Sequence, residues 1–485
     1  MNAPLRRLSV AVLLLFGLLL LNANYLQVVR AEALHTDSNN SRLIAEEYSR
    51  ERGPILVGPD PVARSVETDD QLKYLREYAD GELYAPATGF YSLVYGASGI
   101  ERERNSVLAG TDDSLFVRRV IDLLTGTQPK GGSVRLTLVA KAQRAAYRGL
   151  QRTGGKGAVV AIDPTTGAIL ALASSPSYDP NLLSSHSPAE VRRNYERLSN
   201  ARSKPMLNRA LRQTYPPGST FKIVTAAAAL ESGRWSPDTE VFNDAELELP
   251  LTTATLPNFD NAPCSSTGRP TLTDALKRSC NAAFGKIGLE LGADALRVQA
   301  EKFGFNEAFE VPMRSVASRF PEDPDEPQTA QSAIGQFDVR ATPLQMAMVA
   351  AAVANRGVLM RPYLVQEVIA PNLSVLDSTR PTEIGEAMSP QTAAALAQMM
   401  TAVVDSGTGT NAQIEGIQVA GKTGTAQQGG GRKPHAWFIS FAPSDSDPSV
   451  AVAVVIEDGG DQAEVSGNEL AAPIAQAVMR AVLGQ

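Results

Sequence analysis

The sequence predicts an α+β fold built on one mainly antiparallel sheet, and three observations point to it. Two apolar runs, 158–163 and 168–174, are joined by Pro164-Thr165-Thr166-Gly167 and read as a β-hairpin. From Gln418 onward three more strand-like runs are followed by a helical pattern over 469–482. Between these two blocks, from Ser187 to about Ala370, the pattern is mostly helical.

The elements follow in order. Arg6 and Arg7 precede an apolar run over 8–21, broken only by Ser9 and Gly17, with a weaker continuation to Val29. That length suits a membrane span, and the basic flank predicts a cytoplasmic start with the rest of the chain exported. Ala31-Glu32-Ala33 resembles a signal-peptidase site, but it lies about ten residues beyond the strong apolar core, so a retained anchor is expected. A segment of mixed pattern then runs to about Leu124. The turn-rich stretch 125–133 reads as a linker, which predicts three parts: anchor 1–30, a smaller domain 31–130 and a larger domain 131–485. Residues 134–138 alternate in polarity, 141–150 is helical, and the Ala- and Met-rich run 342–353 predicts a buried helix.

Charge and composition narrow the function. The 485 residues carry 45 basic and 52 acidic side chains, a net charge of −7, which argues against a nucleic-acid partner. Residues 31–130 hold 11 basic and 17 acidic groups, a solvated surface rather than a polycation site. Three scattered histidines and no H-E-x-x-H or Cys/His cluster predict no metal site. No phosphate loop or dinucleotide fingerprint appears, so no cofactor is expected. His435, at the start of the strand 435–441, is a polar strand end rather than a triad member.

The chemistry concentrates in three short motifs: Ser219-Thr220-Phe221-Lys222, Ser279-Cys280-Asn281 and Lys422-Thr423-Gly424-Thr425. Ser219 follows Pro216-Pro217-Gly218 and opens the apolar run 221–230, a buried helix closed by Gly233. A serine there can simply cap the helix. Three residues on, however, Lys222 lies on the same face, within reach of the hydroxyl proton. The helix N-terminus also offers free N–H groups to a developing oxyanion. To act as base near neutrality Lys222 needs a depressed pKa, which burial and a second cation, Lys422, would supply. Ser279-Cys280-Asn281 sits at a break between two helical stretches, 272–277 and 282–291, and Asn281 can hold Lys222 without adding charge. Alone it reads as a capping turn, and Ser-x-Asn recurs at 38–40 and 466–468. The run 419–426 reads as a strand whose glycines permit close approach of a ligand or another backbone. Cys264 and Cys280 are two cysteines in an exported chain. A bridge that stiffens the Ser279 loop and a pair of free buried thiols both remain open.

With all three motifs in this order the chain resembles the class B penicillin-binding proteins, whose signature it shares with serine β-lactamases. The likeness extends over 157–176, 216–222, 273–284, 335–345 and 421–426, and His435-Ala436-Trp437-Phe438 fits the following strand. In the first domain Arg52-Gly53, Thr88-Gly89-Phe90 and Gly99-Ile100-Glu101 resemble that family's non-catalytic module. The chain departs from the pattern at Cys280, where the signature has Asp, and at Phe337, where many relatives have Gly.

The resemblance implies a membrane-anchored DD-transpeptidase of the plasma membrane, its catalytic domain outside, cross-linking peptidoglycan in septal or elongation synthesis. Its substrates would be stem peptides ending in D-Ala-D-Ala, and β-lactams would inhibit it. Carried over by motif, Ser219 is the nucleophile, Lys222 the general base and Ser279 the proton relay. Asn281 positions substrate and Lys222, while Lys422, Thr423, Gly424 and Thr425 serve the terminal carboxylate and the proton network. Domain 31–130 is too short for a glycosyltransferase, so strand polymerisation would fall to a partner among the cell-wall or division proteins. A DD-carboxypeptidase, a serine β-lactamase or a catalytically weak scaffold or β-lactam sensor are the alternatives. A β-lactamase would need a Glu-activated water, and Glu322 and Glu326 lie outside any Glu-x-x-Leu-Asn pattern.

Overall fold

The computed structural model describes residues 2–30, 47–115, 130–428, 431–459 and 465–485. The Ala31-Glu32-Ala33 site and most of the expected linker 125–133 lie outside them. Helix α1 (Asn2–Asn24) begins the chain. Within it and just beyond, Pro4–Val28 has a mean hydropathy of 2.0 and none of its residues packed into the rest of the protein. At about 1.5 Å per residue it is long enough to cross a ~30 Å hydrocarbon layer. No other described helix passes the same test of length and composition.

Three antiparallel strands follow, β1 (Ile55–Val57), β2 (Asp60–Glu67) and β3 (Tyr74–Tyr78). Then come β4 (Ser133–Leu136), helix α2 (Ala140–Arg152) and the expected hairpin, β5 (Gly157–Ile162) with β6 (Ile169–Ser175). The helical middle includes α3 (Lys222–Glu231), α4 (Leu272–Arg278), α5 (Asn281–Leu291) and α6 (Pro343–Ala354). It does not stay helical to Ala370. Val365–Ile369 is strand β7, followed by β8 (Val375–Ser378). Helix α7 (Pro390–Ser406) leads to β9 (Ala420–Ala426), β10 (His435–Ala442) and β11 (Val450–Ile456). The terminal helical pattern is broken at Ala471 into a short turn, Gly467–Leu470, and α8 (Ala472–Val482).

The central sheet has the order β9-β10-β11-β5-β6, every pair antiparallel, so the Lys-Thr-Gly strand occupies one edge. Helices cover both of its faces. Along β11, Val450, Val452, Val454 and Ile456 pack with α2 and α8, while Ala451, Ala453 and Val455 face α3 and α6. Successive side chains of a strand point to opposite faces. Double burial therefore explains why these antiparallel strands read as unbroken apolar runs rather than alternating ones.

A second sheet, β8-β7-β4-β1-β2-β3, unites distant parts of the chain. The parallel pair is β1 with β4, registered Ile55 to Val134, and β7 then pairs antiparallel with β4. Three of its six strands thus come from beyond residue 131. Beside this sheet Glu101, wholly buried, holds two arginines. Arg52 Nε and Arg76 Nε each donate to one carboxylate oxygen at 2.6 Å, and the Tyr78 hydroxyl lies 3.2 Å away. Arg52 also donates to the Glu101 carbonyl at 2.7 Å and to Asn105 at 2.8 Å. The Arg52-Gly53 and Gly99-Ile100-Glu101 motifs are therefore two halves of one ion cluster. The third belongs beside them: Gly89, at φ +69°, leaves no room for a Cβ against the Ser98 carbonyl.

Candidate active site

Ser219 lies not in the helix proper but in a tight 3₁₀ turn, Gly218–Phe221, leading into α3 at Lys222. In a 3₁₀ turn positions i and i+3 eclipse, so Ser219 and Lys222 still share one side. Gly218 takes φ +54°, and a Cβ there would sit 3.0 Å from the Thr425 carbonyl. The turn is thereby seated on the Lys-Thr-Gly strand. Trp437 of β10 secures it further, donating through Nε1 to the Pro216 carbonyl at 3.0 Å.

The second motif enters from the joint between α4 and α5. A capping box at Thr271 and Asp274 starts α4, and Ser279 ends it in the left-handed region at φ 64°, ψ 40°. That reversal turns the Ser279 hydroxyl toward both lysines. Asn281 donates through Nδ2 to the Pro257 carbonyl at 3.0 Å, and the Asn258 side chain accepts from the Ala282 N–H at 3.0 Å. Cys264 and Cys280 are bonded, their Cα atoms 5.6 Å apart across a separation of 16 residues. A cross-link over a loop of that length stabilises by about 3 kcal/mol. Reduction, or Cys264→Ser, is expected to cost about 2–4 kcal/mol of stability. It should also slow acylation by penicillin, because the segment carrying Ser279 and Asn281 loosens. Melting and labelling with and without reductant check this, and identical values in both states would refute it.

At the centre of the site Lys222 Nζ donates to Asn281 Oδ1 at 2.8 Å and to the Ser279 carbonyl at 2.6 Å, with Ser279 Oγ at 3.3 Å. Lys422 Nζ donates to the same Ser279 Oγ at 2.8 Å and to the Thr423 carbonyl at 2.9 Å. One hydroxyl thus bridges two amines, both fully buried. No carboxylate pairs with either lysine among the described residues. Burial, and then the charge of Lys422, hold the Lys222 ammonium well below its ordinary pKa. Burial alone lowers Lys422 to about 7. Lys222 bears both causes and Lys422 only one, so Lys222 is the amine that gives up its proton first.

Ser219, Ser279, Asn281, Thr423 and Thr425 line one cleft of about 690 Å³. Ser219 Oγ has no hydrogen-bond partner among the described residues. Catalytic contacts of this kind are often long in unliganded enzymes and tighten with substrate. Thr423 Oγ1 is held by Thr408 Oγ1 at 2.7 Å. Gly424 packs so closely that a Cβ would meet Thr220 and Trp437 at 3.0 Å. All eight motif residues named from the sequence converge here.

Several supports carry no such signal. Thr408, Pro257 and Asn258 act through contacts that close only in three dimensions. The second Ser-x-Asn, Ser466-Gly467-Asn468, also reaches the cleft wall, but as a capping turn: Ser466 Oγ accepts from the Asn468 N–H at 3.2 Å. Phe337 adopts φ +56°, a conformation natural to the Gly expected there and strained for a bulky residue, and the residue is 41% exposed at the cleft.

A serine hydroxyl, a buried amine with a lowered pKa, a bridging hydroxyl and a second amine on an adjacent strand define a serine acyl-transfer site. Residues 157–480 match the penicillin binding protein transpeptidase domain, and 52–134 match the penicillin binding protein A dimerisation domain. The chain belongs to the penicillin-binding protein transpeptidase family. It is 45% identical over 490 residues to the peptidoglycan D,D-transpeptidase PbpA of Mycolicibacterium smegmatis, covering 100% of this chain and 99% of that protein. The Mycobacterium tuberculosis PbpA is likewise 45% identical over 491 residues, with the same coverage. The solved penicillin-binding protein A from M. tuberculosis, as a penicillin G acyl-enzyme complex, superposes with a TM-score of 0.86 at 43% identity. It covers 90% of this chain and 100% of that one. The ceftriaxone acyl-enzyme of the same protein gives 0.88.

Proposed function

We propose that this protein is a membrane-anchored peptidoglycan D,D-transpeptidase that works through a serine acyl-enzyme and is inhibited by β-lactams. The observation that carries the reading is the paired lysine network around Ser279, set in the same cleft as Ser219. Full-length similarity to named D,D-transpeptidases supports the substrate class. Ser219 Oγ attacks the penultimate D-Ala carbonyl of a stem peptide, and neutral Lys222 takes its proton. The Ser219 and Thr425 N–H groups receive the oxyanion, an arrangement worth about 10²–10³ in rate per donor. As the C–N bond breaks, Ser279 passes a proton to the departing D-Ala, supplied through the lysine pair. Lys422, Thr423 and Thr425 hold the terminal carboxylate, and the peptide lies along the β9 edge as an added strand. An acceptor amine then attacks the ester. A new amide forms, the Ser219 ester bond breaks, and the amine proton returns through Lys222 to Ser219 Oγ.

In this reading Pro4–Val28 is a single-pass anchor in the plasma membrane, with all that follows on the extracytoplasmic side. Residues 31–130 form a non-catalytic interaction domain and 131–485 the transpeptidase domain. A separate glycosyltransferase makes the strands, in company with other cell-wall or division proteins.

The test is covalent. Full-length protein in detergent, incubated with a fluorescent penicillin, should gain the mass of one long-lived adduct, mapping to the peptide that contains Ser219. Rapid turnover of the penicillin would favour a β-lactamase instead. No adduct, or one elsewhere, would sink the assignment.

A further inference from the structure

Beside the catalytic cleft lies a second cavity of about 670 Å³ that no step above uses. The two share Gln336, Phe337 and Gln427 as a common wall. The second is approached along Thr214 to Pro216, just before the Ser219 turn, and along Gln427 and Gln428, just after the Lys-Thr-Gly strand. It therefore flanks the reacting centre.

Its lining is strongly basic in a chain whose net charge is −7. Among the described residues, Lys156, Arg202, Lys204, Arg209, Arg340 and Arg432 face two carboxylates, Glu457 and Asp458, an excess of four positive charges within that set. Of the six, only Arg209 is paired, Nε to Glu457 Oε1 at 3.0 Å, and Tyr215 adds its hydroxyl to the same oxygen at 2.7 Å. The other five have no carboxylate within ion-pair distance among the described residues. His435 adds no charge near neutrality, since burial lowers its pKa. A concave site ringed by unpaired cations focuses potential and concentrates anions. The glutamine amides along the shared wall suit a peptide backbone.

We propose that this cavity is a second anion subsite, which binds a carboxylate borne by the peptide substrate away from its D-Ala-D-Ala end. It rests on the transpeptidase reading. A peptide acylated at Ser219, or an amine approaching that ester, reaches the cavity by passing Phe337. The left-handed backbone at Phe337 sets its ring on the boundary between the two spaces.

The experiment uses the full-length protein, a thioester donor peptide and an amine acceptor peptide, each made in an acidic form (Glu) and an uncharged form (Gln). The wild type is compared with Arg202→Gln/Lys204→Gln and with Lys156→Glu/Arg202→Glu. The acidic form of one partner should be preferred by the wild type about tenfold in kcat/KM, and the partner that shows it identifies the occupant. Both variants should abolish that preference while penicillin acylation continues at the wild-type rate, and 0.5 M salt should shrink it. Equal use of acidic and uncharged peptides by the wild type, or a preference that survives both variants, overturns the proposal. Loss of penicillin acylation in the wild type would instead overturn the transpeptidase reading beneath it.

Discussion

Lys222→Ala is expected to slow acylation by penicillin about 10²–10⁴-fold, the usual worth of a positioned general base. The side chain is fully buried and its ammonium is disfavoured twice, by desolvation and by Lys422. Arginine at this position should not restore the rate, because a guanidinium stays protonated. The pH dependence has a definite sign. Lys222 must be neutral to act, so the rate rises with pH through a pKa well below that of an ordinary amine. Lys422 must be cationic to hold a carboxylate, so kcat/KM for the free enzyme falls again above about 7. A narrow bell is the expected profile, measured by rapid-mixing acylation across pH. A Lys222→Ala protein that acylates within about tenfold of the wild type would remove Lys222 from the base role.

The largest expected loss of stability lies far from the cleft. Glu101→Gln leaves Arg52 and Arg76 buried with no compensating charge, a change that typically costs about 3–5 kcal/mol. Burial pushes the Glu101 carboxyl upward, yet Arg76 and Arg52 outweigh it and its pKa ends below the ordinary value. Its contribution is therefore fully present above the ordinary carboxylate pKa and is lost as pH falls through the lowered one. Hydrogen exchange at β1 and β3 reports this opening directly, whereas one melting temperature blurs it in a chain of several parts. Glu77→Gln, which breaks the exposed pair with Arg64, is the control and should change little. Protection at β1 unchanged in Glu101→Gln would show that the cluster is dispensable.

The sequence revealed most where chemistry is local. The Ser219 turn, the break at Ser279 and the glycines of β9 each announce themselves within a few residues. Their convergence is not local: Lys422 and Ser279 are 143 residues apart, and only the trio in order hints that they meet. The central strands were legible because burial on both faces makes them uniformly apolar. Strand β7 was not, since Val365–Ile369 gains its identity from pairing with β4 rather than from a period of its own. Thr408 and Asn258 look like ordinary loop residues until their hydrogen bonds close. Phe337 stood out as an anomaly of type, and its positive φ gives that anomaly a physical cause.

The threading of the second sheet bears on how the protein is made. Synthesis delivers β1 to β3 first, and β4 soon after. The strand that covers the open side of β4 arrives only with Val365–Ile369, some 230 residues later in synthesis. Until then that backbone edge is an unsatisfied template for wrong pairing. This sheet is therefore begun first yet closed only after the segments carrying Ser219 and Ser279 have been made, while the strand carrying Lys422 is still to come.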